Sequence, residues 1–207
     1  MAGTDIADSV IAELDAIVWA NLDPADYRDP AIEAVANGIW GYINDNWSIS
    51  ANTIGTVTPP PPLVPFPFGE PVTVDLTVAA AAPLKSLLLS MVSGSIPLAA
   101  MIAFFGAIAS WLSAPPWVVS ISMGTLINPI VGAGVATFPS MAGMATPCFA
   151  EMSASKPSDR TAAWNIIGTH IYNGLSANVI VPLATTGLYA APPTGSYLGA
   201  TTATLTF

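Results

Sequence analysis

The stretch Pro59-Pro60-Pro61-Pro62-Leu63-Val64-Pro65-Phe66-Pro67-Phe68-Gly69-Glu70-Pro71 runs directly into Val72-Thr73-Val74-Asp75-Leu76-Thr77-Val78. Proline fixes φ and has no backbone donor, so the spacing predicts a polyproline-like extended arm over 53–78, not a helix or a central strand. Leu63, Val64, Phe66 and Phe68 give that arm an apolar surface. It suits an arm laid across a neighbouring chain, with a plain interdomain linker as the other reading. The residues 72–78 alternate with period two and predict a strand.

The chain on either side of this arm changes character. Nine of the thirteen acids lie in the first 45 residues, and no Asp, Glu, Lys or Arg occurs between Lys85 and Glu151. Residues 1–52 read as an acidic helical hairpin. In its first helix, Ile6, Val10, Ile11, Leu14, Ile17 and Val18 recur at helical spacing. Thr4 is the expected N-cap, with Asp5 and Asp8 at the positive end of the dipole. Asp23-Pro24 closes that helix. Asp29-Pro30 opens a second, striped by Ile32, Val35, Ala36, Ile39, Trp40 and Ile43 and ending near Trp47. The acidic faces read as solvated surface.

Residues 79–150 form an uncharged apolar zone beyond Lys85. A short Leu-rich helix is expected over Pro83–Met91, broken at Gly94. A second is expected over Leu98–Ser113, apolar almost all round through Met101, Ile102, Phe104, Phe105, Ile108, Trp111 and Leu112. A helix without a polar face is buried in protein or sits in lipid. The second helix alone is shorter than the roughly 20 residues a bilayer requires. The whole of 84–113, kinked at Pro97, would suffice, with Trp111 and Trp117 at the interface. Beyond it, Gly124, Pro129, Gly132 and Gly134 argue against one continuous membrane helix. In 151–207, Ser158 or Asp159 caps a helix whose apolar face is Ala163, Ile166, Ile167, His170, Ile171 and Gly174. Short strands are expected around Val179–Leu183 and Ala203–Phe207 in a Thr/Gly-rich extended tail. One internal echo joins Trp40-Gly41-Tyr42-Ile43, leading to Ser50-Ala51-Asn52, with Ile167-Gly168-Thr169-His170, leading to Ser176-Ala177-Asn178. Matches this short also arise by chance.

Composition narrows the function. Charged residues make up 8% of the 207, against the usual quarter, and apolar residues 53%. High hydrophobicity excludes a disordered acidic tail. Four Lys and Arg against thirteen Asp and Glu would repel phosphate, so direct nucleic-acid contact is not expected. Cys148 is the only cysteine, which excludes an internal disulfide and Cys-based zinc chemistry; it reads as a small buried hydrophobe. The start MAGTDIADS has acids where a secretory signal needs positive charge, so synthesis in a cytoplasm is expected.

The catalytic inventory is thin. His170 is the one histidine and reads as a core or interface residue, with no G-x-S-x-G turn to accompany it. Gly132-Ala133-Gly134 lacks the rest of a nucleotide loop. The acid pairs Asp5/Asp8, Asp23/Asp26 and Asp26/Asp29 lack the Gly and terminal Glu of a calcium loop. An enzyme would need a site built from His170, Glu151 and Asp159. No catalytic residue, cofactor or metal is therefore expected. Large apolar area with few charges is instead what the centre of a permanent subunit interface requires.

Three sequence elements carry a family resemblance: Asn46-Trp47-Ser48-Ile49-Ser50-Ala51-Asn52 with Gly55-Thr56-Val57; Trp111 to Pro116; and Asp159-Arg160-Thr161-Ala162-Ala163-Trp164, leading through His170 to Thr185–Gly187. With these, the chain resembles small structural proteins of tailed bacteriophages. The resemblance implies a virion component (tail, baseplate, neck or capsid-associated) and transfers no catalytic residue.

The expectation is thus an α+β chain. It comprises an N-terminal helical hairpin, a Pro-rich extended arm, an apolar helical middle, and a C-terminal helix followed by short β segments. Its function would be that of a non-enzymatic structural subunit, joined to copies of itself and to other subunits of one particle. The expected interface residues are Phe66, Phe68, Met101, Phe104, Phe105, Ile108, Trp111 and Trp117. The alternative is a membrane or membrane-inserting protein anchored by 84–113.

Overall fold

The computed structural model describes residues 2–46, 48–78, 80–91, 97–113, 117–122, 126–131, 140–176, 181–189 and 194–206. Trp47, the Gly94 break, Pro115-Pro116, Gly124, the Gly132–Gly134 stretch, Ala177-Asn178 and Phe207 lie outside them. The chain is an α+β protein. Its described elements run α1 (Ala2–Asp15), α2 (Arg28–Asn46), β1 (Ser48–Thr58), β2 (Phe66–Val78), α3 (Ala82–Leu89), α4 (Pro97–Ser113), β3 (Trp117–Ser122), β4 (Leu126–Val131), α5 (Ala145–Ser155), α6 (Arg160–Ser176), β5 (Val181–Tyr189) and β6 (Gly195–Thr206). Leaving aside single 3-10 turns, the order is helix, helix, strand, strand, three times over.

Contacts divide the chain into two units that interleave along the sequence. The helical unit takes 1–46, 78–114 and 138–178, and the sheet unit takes 47–77, 115–137 and 179–207. Each αα-ββ module therefore gives its helix pair to one unit and its strand pair to the other. The four consecutive zones of the sequence reading cut across both units. The echo at residues 40–52 and 167–178 joins the ends of two second helices, α2 and α6, to the strands that follow them. Ser50-Ala51-Asn52 itself lies within β1, whereas Ser176 ends α6.

In the helical unit the six described helices form a ring. α1 packs on α2 and α6, α2 on α3, α3 on α4, α4 on α5, and α5 on α6. Ile6, Val10 and Leu14 of α1, Ala36, Ile39 and Ile43 of α2, and Leu84 and Leu88 of α3 are buried in it. So are Phe105, Ile108 and Leu112 of α4 and Ile171 and Leu175 of α6. The two longest-packed contacts rest on glycine. A Cβ on Gly38 would come within 2.5 Å of Val10 Cα, and one on Gly168 would strike the Gly3 carbonyl. The α1 backbone thus lies against both neighbours with no side chain between.

The few cations link adjacent helices. Lys85 Nζ on α3 sits 2.8 Å from Asp29 Oδ2 and 2.9 Å from Glu33 Oε2 on α2. Arg28 donates to the carbonyls of Leu89 and Met91, at 2.9 and 2.7 Å, covering acceptors that the end of α3 leaves open. Arg160 of α6 pairs with Asp15 of α1. Exposed pairs like these add little stability individually.

Helix ends differ in detail from the sequence reading. α1 begins at Ala2, so Thr4 lies inside its first turn, and it stops at Asp15, leaving Val18 exposed. Asp23 caps a 3-10 turn instead, accepting from Ala25 N at 3.0 Å. Of the two caps open for α6, the structure selects Asp159, which accepts from Ala162 N at 2.8 Å while Ser158 Oγ donates to its other oxygen. Those two bonds hold the Asp159 carboxyl below its ordinary range.

The arm expected over 53–78 is corrected to a β-hairpin. β1 and β2 pair antiparallel from Ile49↔Val74 to Val57↔Phe66, and β1 is a central strand. The proline run is confined to the turn between them. Pro67 and Pro71 share strand parity, so the donors they lack belong to one side of β2 only, and pairing on the other side survives. Likewise the tail is two full strands, paired from Val181↔Ala203 to Tyr189↔Gly195.

The strand order is β3-β2-β1-β6-β5-β4. β3 and β4 are the edges, yet three residues separate them in sequence. Such a link reaches about 14 Å, whereas the edges of a flat six-stranded sheet lie about 24 Å apart. The sheet must therefore curl, and β3 and β4 do come into contact. On its buried face, Val57 and Tyr197 pair across β1 and β6, with Phe66 and Phe68 packed against them. Tyr197 meets Phe68 edge-on at 5.8 Å and lies over the cross-strand pair Gly55↔Gly199, where a Cβ on either glycine would collide with its ring.

Gly38→Ala should destabilise the helical unit by roughly 1–3 kcal/mol, the usual cost of overpacking. Gly106→Ala, whose Cβ would meet nothing within 4 Å, should be neutral or stabilising by up to about 1 kcal/mol, from helix propensity. Urea unfolding followed by helical circular dichroism measures both.

Candidate functional site

The expected interface residues fall into three groups. Phe105 and Ile108 are fully buried and Trp111 nearly so, all within the chain's own helical unit. Trp111 Nε1 donates to Ala80 O at 3.3 Å. For these three the expectation is corrected: they are buried within the single chain and have no surface left to face another. Met101 and Phe104 are half-buried on the same helix, and Phe104 makes edge contacts with Phe105 at 5.5 Å and Trp164 at 6.4 Å. Phe66 and Phe68 belong to the sheet's buried cluster. Trp117 opens β3, and its side chain lies outside the described residues.

The stretch 84–113, read as the alternative membrane anchor, is two helices, α3 and α4. Among the described residues no helix is long and apolar enough to cross a membrane.

Ile102 of α4 and Val18 beyond α1 are exposed in the helical unit, and further exposed apolar side chains lie in the sheet unit. Ile54 on β1 is 72% exposed and Leu198 on β6 is 67% exposed. They share the outer face of the sheet, because Val57 and Tyr197, at odd offsets from them, point inward. Leu63 and Val64, at 52% and 81%, are exposed in the proline turn between β1 and β2. The sequence reading singled out Leu63 and Val64 but missed Ile54 and Leu198. Their signal was the antiphase of Ile54 with Val57 and of Leu198 with Tyr197, legible only once β1 is paired with β6.

Of the three titratable residues considered from sequence, the structure brings His170 and Glu151 together. His170, buried on α6, places Nε2 2.9 Å from Glu151 Oε2, and its Nδ1 is buried without a hydrogen-bond partner. Burial, and secondarily the charge of Glu151, push the Cys148 thiol up to about 11. A thiol so raised stays protonated and is a poor nucleophile. Asp159, the third member of the catalytic set considered from sequence, is occupied as the α6 cap. No group of three or more His, Cys, Asp or Glu among the described residues could hold a metal. An open groove of about 570 Å³ between α1 and α2 is lined by Asp5, Ser9, Glu13, Trp40 and Tyr42, among others. Burial and the nearby Asp5 raise the Tyr42 phenol there.

Comparison with protein-family models, with curated proteins and with solved structures finds no match to this chain.

Two outcomes are expected. Ile108→Asp should cost about 4 kcal/mol or more by burying an unpaired charge, seen as loss of helical circular dichroism in the isolated chain rather than as a selective assembly defect. Cys148 should resist a thiol reagent at pH 8 in the folded protein and react fully in denaturant.

Proposed function

We propose that this chain is a non-enzymatic structural subunit of a large assembly, and that the assembly is a bacteriophage virion. The observation that carries this reading is the segregation of charge. All four Lys and Arg, and eleven of the thirteen Asp and Glu, belong to the helical unit. Glu70 and Asp75, both on β2, are the only charged residues of the sheet unit. A surface exposed to water for life normally carries charge on about a quarter to a third of its positions. A curled sheet with almost none, presenting Ile54, Leu198, Leu63 and Val64 outward, suits a unit covered by neighbours. The acidic helical unit suits the part left in solvent. The family resemblance in the sequence points the same way, to a tail, baseplate, neck or capsid-associated position.

The test is fractionation of producing cells with high salt and alkaline pH, without detergent, followed by gradient sedimentation. The chain should co-sediment with a discrete particle in a fixed ratio to its other proteins. Release from a lipid fraction only on adding detergent would overturn the reading.

A further inference from the structure

We propose that the groove between α1 and α2 binds a linear polyamine, its ammonium groups held by Asp5 and Asp45 towards one end and by Glu13 towards the other. The site lies outside the surfaces on which the structural-subunit reading rests, and it stands or falls separately.

The groove follows two helical stripes. On α1 it takes Asp5, Ser9 and Glu13, four residues apart, and on α2 it takes Asn37, Gly41 and Asp45 at the same spacing. Residues four apart share a helix face. The two helices run antiparallel, since Gly38 meets Val10 and Gly41 faces Ser9. Asp45 therefore falls towards Asp5 and away from Glu13. Asp5 and Glu13 are just over two turns apart, about 12 Å of helix rise.

Two observations call for a cation in this groove. The first is Tyr42, which is 5% exposed and lines it. Its backbone carbonyl accepts from Asn46 Nδ2 at 3.0 Å, but its hydroxyl has no hydrogen-bond partner among the described residues. Among those residues His170 Nδ1 is the only side-chain atom both sealed off and unpartnered, so the Tyr42 oxygen opens on the groove. There it can accept from a ligand N–H. The second is the placement of the acids. Glu13 and Asp45 sit in the last turns of α1 and α2, beside the partial negative charge of the helix ends and with no basic residue in either turn. None of the three carboxylates belongs to a salt bridge among the described residues, where Lys85 and Arg160 are engaged by Asp29, Glu33 and Asp15.

Spacing selects the kind of cation. No three His, Cys, Asp or Glu among the described residues converge as metal ligands, so the groove does not suit a point charge. A single lysine side chain brings one ammonium and leaves one end unpaired. A flexible chain with ammonium groups at intervals reaches both ends. Trp40 lines the same groove, and an indole ring attracts a cation to its face.

The experiment is isothermal titration of the full chain with spermidine, a linear triamine, in about 0.15 M salt to screen diffuse attraction. Binding should be saturable, with one spermidine per chain. Tyr42→Phe keeps the ring and removes only the unpartnered hydroxyl, and Glu13→Gln changes an exposed position. Both should keep the wild-type helical circular dichroism, and each should raise the dissociation constant about fivefold to tenfold. Asp8→Asn removes the same charge from an exposed position of α1 outside the groove and should leave binding unchanged. Heptylamine, with one ammonium on a chain of the same carbon count, should bind about tenfold or more weakly. Four results would each overturn the proposal: no saturable binding, Tyr42→Phe binding as the wild type does, Asp8→Asn weakening binding as much as Glu13→Gln, or heptylamine matching spermidine. The last would assign the groove to a lone ammonium, such as a partner's lysine. Co-sedimentation with a particle is unaffected by any of these outcomes, so the subunit reading is tested apart from this site.

Discussion

The helical unit depends on backbone touching backbone. Gly38 lets α2 lie on Val10, and Gly168 lets α6 lie on Gly3, so α1 is held between the second helix of the first module and the second helix of the last. That contact closes the ring. Without it the six described helices would be an open row with two apolar ends, and Ile6 and Val10 would have nothing to bury against. A Cβ at either glycine would lever the helices apart, and the dense interior cannot absorb such a shift cheaply. The sheet unit uses the same device: Tyr197 lies over Gly55 and Gly199, filling with one ring the space two side chains would have taken.

A cyclic order runs through both units. The helices neighbour one another in sequence order around a ring, and the strands follow sequence order from β4 through β5, β6, β1 and β2 to β3, with the β3/β4 seam meeting. One αα-ββ module, used three times, gives this result, because each module contributes one adjacent pair to each circle. Ring closure also explains why so few charges suffice. Lys85, Arg28 and Arg160 act at helix–helix junctions, while apolar burial between neighbours provides the bulk of the stability.

Much was legible in the sequence. The helical stripes placed α2, α3, α4 and α6 within a few residues, the capping pair at 158–159 located the start of α6, and Cys148 was read correctly as buried. The all-round apolar character of α4 shows that it needs cover, but not that the cover comes from its own chain. Phe105, Ile108 and Trp111 are buried within their own chain, because α4 packs on α3 and α5, which come from different modules of the same ring. The proline stretch reads as an arm because proline density is a local signal. Whether a strand tolerates proline depends on which side of it is paired, and that is not local.

The sequence by itself determined the stripes of α2, α3, α4 and α6, the extended character of residues 72–78, and where charge is absent. Periodicity, capping and composition act over a few residues and need no partner to be read. Tertiary structure alone decided that the modules interleave into a helical ring and a curled sheet, and which apolar side chains were left outside. Ile54 and Val57 are equally apolar in the sequence. The register of β1 against β2 and β6 sends one inward and the other out, since a strand's two faces are defined only by what it pairs with.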